Sequence, residues 1–152
     1  MHYLNPTANP RSPAYFALEI NIAVTLPSRQ RRYYLPMPQE PLVIEDLPGP
    51  KEGQRILRLS GPLVLSTLFD FQSKVRADTS HVLMLDFANV PYVDSAGIGA
   101  LVGAYVTHQK DGRSLYLIGV RQRVKDALKV THVQEFFRFV DSVAAAEQAS
   151  SA

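Results

Sequence analysis

The run Val82-Leu83-Met84-Leu85-Asp86-Phe87 constrains the fold more than any other stretch of this chain. Its near-continuous apolar character lacks the in-and-out alternation of a half-exposed strand. A strand built from it needs cover on both faces. Helix-spaced apolar residues stand on either side. Before it, Leu65, Leu68, Phe69, Gln72 and Val75 recur at helical spacing as far as Ala77. After it, Ile98, Leu101, Val102, Tyr105 and Val106 trace one face of a helix that reaches Lys110, and Asp111-Gly112 supplies a stop. A covered strand between two helices is the repeating unit of an α/β sheet with a parallel portion.

The flanking segments extend that pattern. Leu42-Val43-Ile44 reads as a short strand. Pro48-Gly49-Pro50-Lys51-Glu52-Gly53 is a turn-rich connection to a second strand around Ile56, Leu57 and Leu59, which makes a hairpin. Leu115 to Val120 is a further strand. Arg121 to about Val133 reads as a helix with Val124, Ala127 and Leu128 inward, and Phe136 to Val140 as a last strand. Asp141-Ser142 caps a final helix from Val143 to about Gln148, and residues 149–152 form a frayed, disordered tail. The expectation is one α/β domain over residues 42–148, with a mixed sheet of four to five strands, about four helices and an N-terminal hairpin.

Residues 1–41 are different. They carry seven prolines, Pro6, Pro10, Pro13, Pro27, Pro36, Pro38 and Pro41, a density that opposes regular structure. One island, Phe16 to Leu26, alternates apolar and other residues with a period of two, the pattern of a half-buried strand. Two readings stand open. The island is an extra edge strand, or Met37 is the natural start and residues 1–36 lie outside the native protein. This extension also holds the basic balance: Arg11, Arg29, Arg31 and Arg32 face Glu19 alone. Over residues 37–152 the charges nearly cancel, so the domain is not read as a nucleic-acid binder. There are no cysteines, and the four histidines make no metal-ligand pattern. No apolar run reaches the roughly 20 residues that span a bilayer. With no export signal visible, the cytoplasm is the expected compartment.

The chemistry concentrates at Tyr92-Val93-Asp94-Ser95-Ala96-Gly97-Ile98-Gly99, where a strand gives way to a helix. A hydroxyl at a helix mouth has three possible roles: N-cap, anion site or phosphoacceptor. Gly97, Gly99 and Gly103 lie inside the helix and each costs up to about 1 kcal/mol relative to alanine. With Ala96, Ala100 and Ala104 they make one side slim, for close approach of the sheet or of something outside. A dinucleotide fingerprint is absent, because Val102 stands where a third glycine is needed.

The segment from Phe87 to Leu101 resembles the signature of STAS domains, specifically bacterial anti-sigma-factor antagonists. The resemblance extends from about Leu42 to about Gln148. It implies that Ser95 is phosphorylated by an anti-sigma factor that is also a serine kinase, and that a phosphatase resets it. It implies that Asp94 shapes the turn, that Gly97 lets a partner backbone approach, and that Ala96 borders the contact; Tyr92 is read as an exposed contact beside the switch or as a packing residue. It implies no catalytic residue, cofactor or metal in this chain, and it allows a homodimer. Two positions depart from the pattern. Ala96 replaces a second hydroxyl residue, and Gly61-Pro62-Leu63-Val64 replaces a Gly-Glu-Leu-Asp stretch, which removes charge beside the site.

Other residues read more plainly. Arg121, Arg123, Lys125 and Lys129 form a basic run, taken as a solvated helix face or an anionic contact. Phe136, Phe137 and Phe139 are read as core and sheet. Asp86 and Asp94 lack a third catalytic group, so an enzyme is not expected. The expected function is a regulatory binding module switched at Ser95. The alternatives are a STAS subunit of a lipid or membrane transport complex, or a small nucleotide- or lipid-binding module.

Overall fold

The computed structural model describes residues 40–151. The proposed strand at Phe16 to Leu26 lies outside them. Five strands follow the chain: β1 (Val43–Pro48), β2 (Gln54–Ser60), β3 (Val82–Asn89), β4 (Ser114–Ile118) and β5 (Arg138–Val140). Four helices connect or follow them: α1 (Leu68–Ala77), α2 (Ser95–Lys110), α3 (Gln122–Val130) and α4 (Val143–Ser151). The spatial order of the sheet is β1-β2-β3-β4-β5. β1 and β2 are antiparallel, with Val43 opposite Ser60 and Pro48 opposite Arg55. The other three pairings are parallel. The expected hairpin, mixed sheet and helix number are all present.

The hairpin turn closes with the Gly49 N–H donating to the Gln54 carbonyl at 2.9 Å. Gly53 sits at φ 80°, a conformation that glycine adopts without the Cβ penalty.

The apolar β3 run is sandwiched as its composition requires. Leu83, Leu85 and Phe87 join Leu57, Leu59, Leu115 and Leu117 beneath α1, α2 and α3. Met84 points the other way and packs with Ile56, Tyr116, Ile118 and Ala146 of α4. Three helices thus cover one face and one short helix covers part of the other.

The first helix departs from the periodicity expected for it. It begins at Leu68, and its buried residues are Leu68, Phe71 and Val75. Phe69 and Leu65 are exposed, at 66% and 63%. The reason is local. Val64 to Thr67 is a turn held by the Thr67 hydroxyl, whose Oγ1 accepts from the Val64 N–H at 3.0 Å and donates to the Pro62 carbonyl at 2.7 Å. That turn takes Leu65 out of the helix, so of the expected inward residues Leu68 and Val75 are buried while Leu65 and Phe69 are not.

Smaller departures follow the same logic. Val106 was expected on the inner face of α2 and is exposed, while Ala100, Ala104 and His108 are buried there. Phe136 lies in a 3-10 turn, Gln134–Phe136, rather than in the strand, and its ring stacks on Tyr105 at 5.3 Å. Phe137 is buried and Phe139 is half-buried in β5. The last helix continues to Ser151, past the expected end at Gln148, so Ala149 to Ser151 are helical rather than a frayed tail. Its start is capped as expected, with Ser142 Oγ accepting from the Ala145 N–H at 3.1 Å.

Candidate functional site

The site is built where β3 ends. After Asn89 the chain crosses the carboxyl edge of the sheet, and Val93 forms an isolated parallel bridge with Leu63. That bridge ties the loop after β3 to the loop after β2. Asp94 then ends the extended segment with φ −103° and ψ −176°, and α2 begins at Ser95.

Asp94 performs the capping. Its Oδ1 accepts from the Gly97 N–H at 2.8 Å and satisfies one of the donors left unpaired at the helix start. Its Oδ2 accepts from the Leu65 N–H at 3.0 Å and draws in the neighbouring loop. One carboxylate therefore fixes both the helix start and the β2–α1 loop. Ser95, first in the helix, is exposed, and no hydrogen bond to its hydroxyl is found among the described residues. The capping role open to Ser95 falls to its neighbour.

The three glycines of α2 separate into two kinds. A Cβ at Gly97 would lie 2.0 Å from the Leu63 carbonyl oxygen and 2.9 Å from its carbon. Gly97 is therefore required by the inside of the molecule, where the helix meets the β2–α1 loop. It is buried. Cβ atoms at Gly99 and Gly103 would meet nothing within 4 Å. These two border a groove of about 480 Å³ between α1 and α2, whose lining includes Phe71, Val75, Ala100 and Ala104.

The other residues around the motif divide as follows. Ala96 is half-buried and packs against the core. Tyr92 is 37% exposed, and the Arg123 guanidinium lies over its ring, 5.2 Å from the centroid. The Arg121 Nε–H donates to the Ala88 carbonyl at 2.8 Å. Two members of the basic run thus reach the site and are more than a solvated face. Lys125 stands over Phe139 instead, with Nζ 5.6 Å from the ring centroid. The altered loop also reads differently in three dimensions. Pro62 and Leu63 are buried and Val64 is half-buried, so the exposed apolar residue beside the site is Leu65.

Asp94 is committed to two backbone N–H groups, and Asp86 pairs with Arg58 at 3.4 Å. Among the described residues there is no group of three or more metal-ligating side chains, and no helix is long and apolar enough to cross a membrane.

Comparison with known proteins agrees with this geometry. The family model described as the STAS domain matches residues 46–146. The chain belongs to the STAS domain family. The "Anti-sigma-B factor antagonist" of Staphylococcus epidermidis is 30% identical over 61 residues, covering 40% of this chain and 56% of that protein. The chain thus spans about half the length of that curated relative. Among solved structures, a putative anti-sigma factor antagonist from Thermotoga maritima superposes with a TM-score of 0.64 at 16% identity, covering 72% of this chain and 95% of that one. The Bacillus cell fate determinant SpoIIAA in its phosphorylated form superposes with a TM-score of 0.57 at 12% identity, covering 70% and 99%. At these identities the structural likeness speaks for the fold alone. This STAS domain places its strand-to-helix turn, with Asp94 and Ser95, on the edge of the sheet where three loops converge.

Proposed function

We propose that this STAS domain is an anti-sigma-factor antagonist, a non-enzymatic binding protein switched by reversible phosphorylation of Ser95. The observation that carries the reading is the division of labour at the helix start. Asp94 holds the cap with Oδ1 and the β2–α1 loop with Oδ2, and the Ser95 hydroxyl is left exposed and without a hydrogen bond among the described residues. A hydroxyl in that position is available to a kinase without disturbing the fold. The unpaired N–H groups of the first turn favour an anion beside them. The sequence likeness to an anti-sigma-B factor antagonist and the fold shared with a protein solved in a phosphorylated form support the same reading.

The mechanism is electrostatic. Phosphate adds about −1.5 to −2 charges next to Asp94. Like-charge repulsion and the cost of desolvating the phosphate then oppose docking of the anti-sigma partner, with no refolding. The partner is a serine kinase that supplies nucleotide and metal, and a phosphatase restores the hydroxyl. The domain works in the cytoplasm, where these partners reside, and contributes a substrate hydroxyl.

The test is to incubate the full chain with ATP and the organism's candidate serine kinases, then to map phosphate by mass spectrometry. Modification at Ser95, together with loss of partner binding in Ser95→Asp, is the expected result. Absence of phosphate at Ser95 with every kinase, or a Ser95→Asp protein that binds as the wild type does, would refute the switch.

A further inference from the structure

The loops that follow β2, β3 and β4 lie side by side, because these strands are neighbours in the sheet. Ser95 ends the middle loop. The outer two differ in kind. On the β2 side, residues 61–69 contain no charged side chain, and Leu65 and Phe69 are exposed at 63% and 66%. Leu65 adjoins the switch residue, since its N–H donates to Asp94. On the β4 side stand Arg121 and Arg123, both exposed. Neither forms a salt bridge among the described residues. Arg123 reaches the middle loop by covering Tyr92, and Arg121 by bonding Ala88. The one carboxylate of these loops, Asp94, is occupied by Gly97 and Leu65 and leaves the arginines uncompensated.

Between the two sides runs the outer line of α2. Ser95, Gly99, Val102 and Val106 follow at spacings of four, three and four residues, which places them on one side of the helix. Val106 is 54% exposed. The surface around Ser95 therefore has an apolar side, a middle whose one carboxylate, Asp94, is held by two backbone N–H groups, and a cationic side.

We infer that this surface docks a protein partner through an amphipathic helix, whose apolar ridge meets Leu65 and Phe69 and whose flanking carboxylates meet Arg121 and Arg123. Charge complementarity selects that occupant. An apolar ridge alone leaves two desolvated arginines unpaired, and a basic flank is repelled by them. A nucleic acid has charge for the arginines and nothing for the apolar side. The inference takes the surroundings of Ser95 as a docking surface, as in the function proposed above, and it does not require phosphorylation. If Ser95 is phosphorylated, the phosphate stands among the partner's carboxylates and offers Arg123 an alternative mate, so both effects release the partner.

The experiment titrates the isotope-labelled full chain with three probes, followed by backbone amide shifts. The first is a helical peptide with a Leu/Ala ridge and Glu flanks. The second carries Lys at each Glu position, and the third is a single-stranded oligonucleotide. Shifts at Leu65, Phe69, Tyr92 and Arg123 with the Glu peptide are expected, at an affinity at least about tenfold above that of the Lys peptide. Arg123→Glu reverses the preference, and Phe69→Ser weakens both peptides severalfold. Both side chains are exposed, so these variants keep the fold, and far-UV circular dichroism checks that they do. Equal affinity for the two peptides, binding of neither, shifts elsewhere, or tighter binding of the oligonucleotide that ignores Phe69→Ser would each overturn the inference. Its failure is separable from failure of the switch. The expected peptide preference in a chain that no kinase modifies leaves the docking surface and removes the switch. A phosphorylated Ser95 on a surface indifferent to peptide charge does the reverse.

Discussion

Replacing the three glycines of α2 with alanine one at a time is predicted to shift stability in opposite directions. Each substitution gains helix propensity, worth about 0.8–1 kcal/mol in a helix interior. At Gly99 and Gly103 nothing opposes that gain, because a Cβ at either meets no atom within 4 Å. Both variants should be more stable than the wild type by about 0.5–1 kcal/mol. At Gly97 the added methyl would sit 2.0 Å from a backbone carbonyl oxygen, that of Leu63. Backbone cannot swing aside as a flexible side chain can. Relieving the overlap means moving α2 against the β2–α1 loop, and overpacking of this kind costs about 1–3 kcal/mol or more. The net expectation for Gly97→Ala is a loss of up to roughly 2 kcal/mol or more, after the propensity gain is subtracted. The same shift strains the bond from Leu65 to Asp94, so the variant also disturbs the switch loop. Urea unfolding followed by circular dichroism reads all three midpoints, at unchanged slope. A Gly97→Ala protein at or above wild-type stability would refute the contact with Leu63. A destabilised Gly99→Ala would refute the open space beside it.

Three further predictions follow from the site and the core. Asp94→Ala loses the cap to Gly97 and the bond from Leu65, and should cost about 1–2 kcal/mol, while Ser95→Ala stays within about 0.5 kcal/mol of wild type; paired denaturation curves separate them. Phe71→Ala should cost about 3–5 kcal/mol because Phe71 is fully buried, whereas exposed Phe69→Ala should change stability by less than about 0.5 kcal/mol; reversed effects would show that the α1 phase described above is wrong. Asp46 is held below its ordinary value of 3.8 by the hydrogen bond from Arg55. A depressed folded value contributes stability that is present above 3.8 and is lost as pH falls through the folded value, so the melting-temperature gap between wild type and Asp46→Asn should shrink below that pH.

Several features of the fold are legible in single residues. The unalternating Val82–Phe87 run demanded cover on two faces, and the sheet supplies it with Leu83 and Leu85 on one side and Met84 on the other. The prolines and glycines between Pro48 and Gly53 marked the hairpin turn, because local backbone preference is a property of those residues themselves. The motif around Ser95 was legible for the same reason, since an Asp-Ser pair before a helix supplies a cap, whichever of the two side chains holds it. The phase of α1 was not. Of the stripe Leu65, Leu68, Phe69, Gln72 and Val75, only Leu68 and Val75 are buried, and Phe71 takes the inner place that periodicity assigned to Phe69. The Thr67 turn and the fit against β2 and β3 choose between them.

Around the candidate site the same division holds. Sequence by itself determined that a strand ends in an Asp-Ser turn, that a glycine-rich helix follows, and that cysteine chemistry is impossible. Tertiary structure alone decided which glycine is indispensable, and that Asp94 rather than Ser95 holds the cap. It also decided that Leu65 and Arg123 stand on opposite sides of one loop. The physical reason is range. Propensity, capping and periodicity act over a few residues and are written in the chain. The contacts of Leu63 with Gly97, Leu65 with Asp94, and Arg123 with Tyr92 join residues about thirty positions apart, and they exist only because β2, β3 and β4 lie side by side.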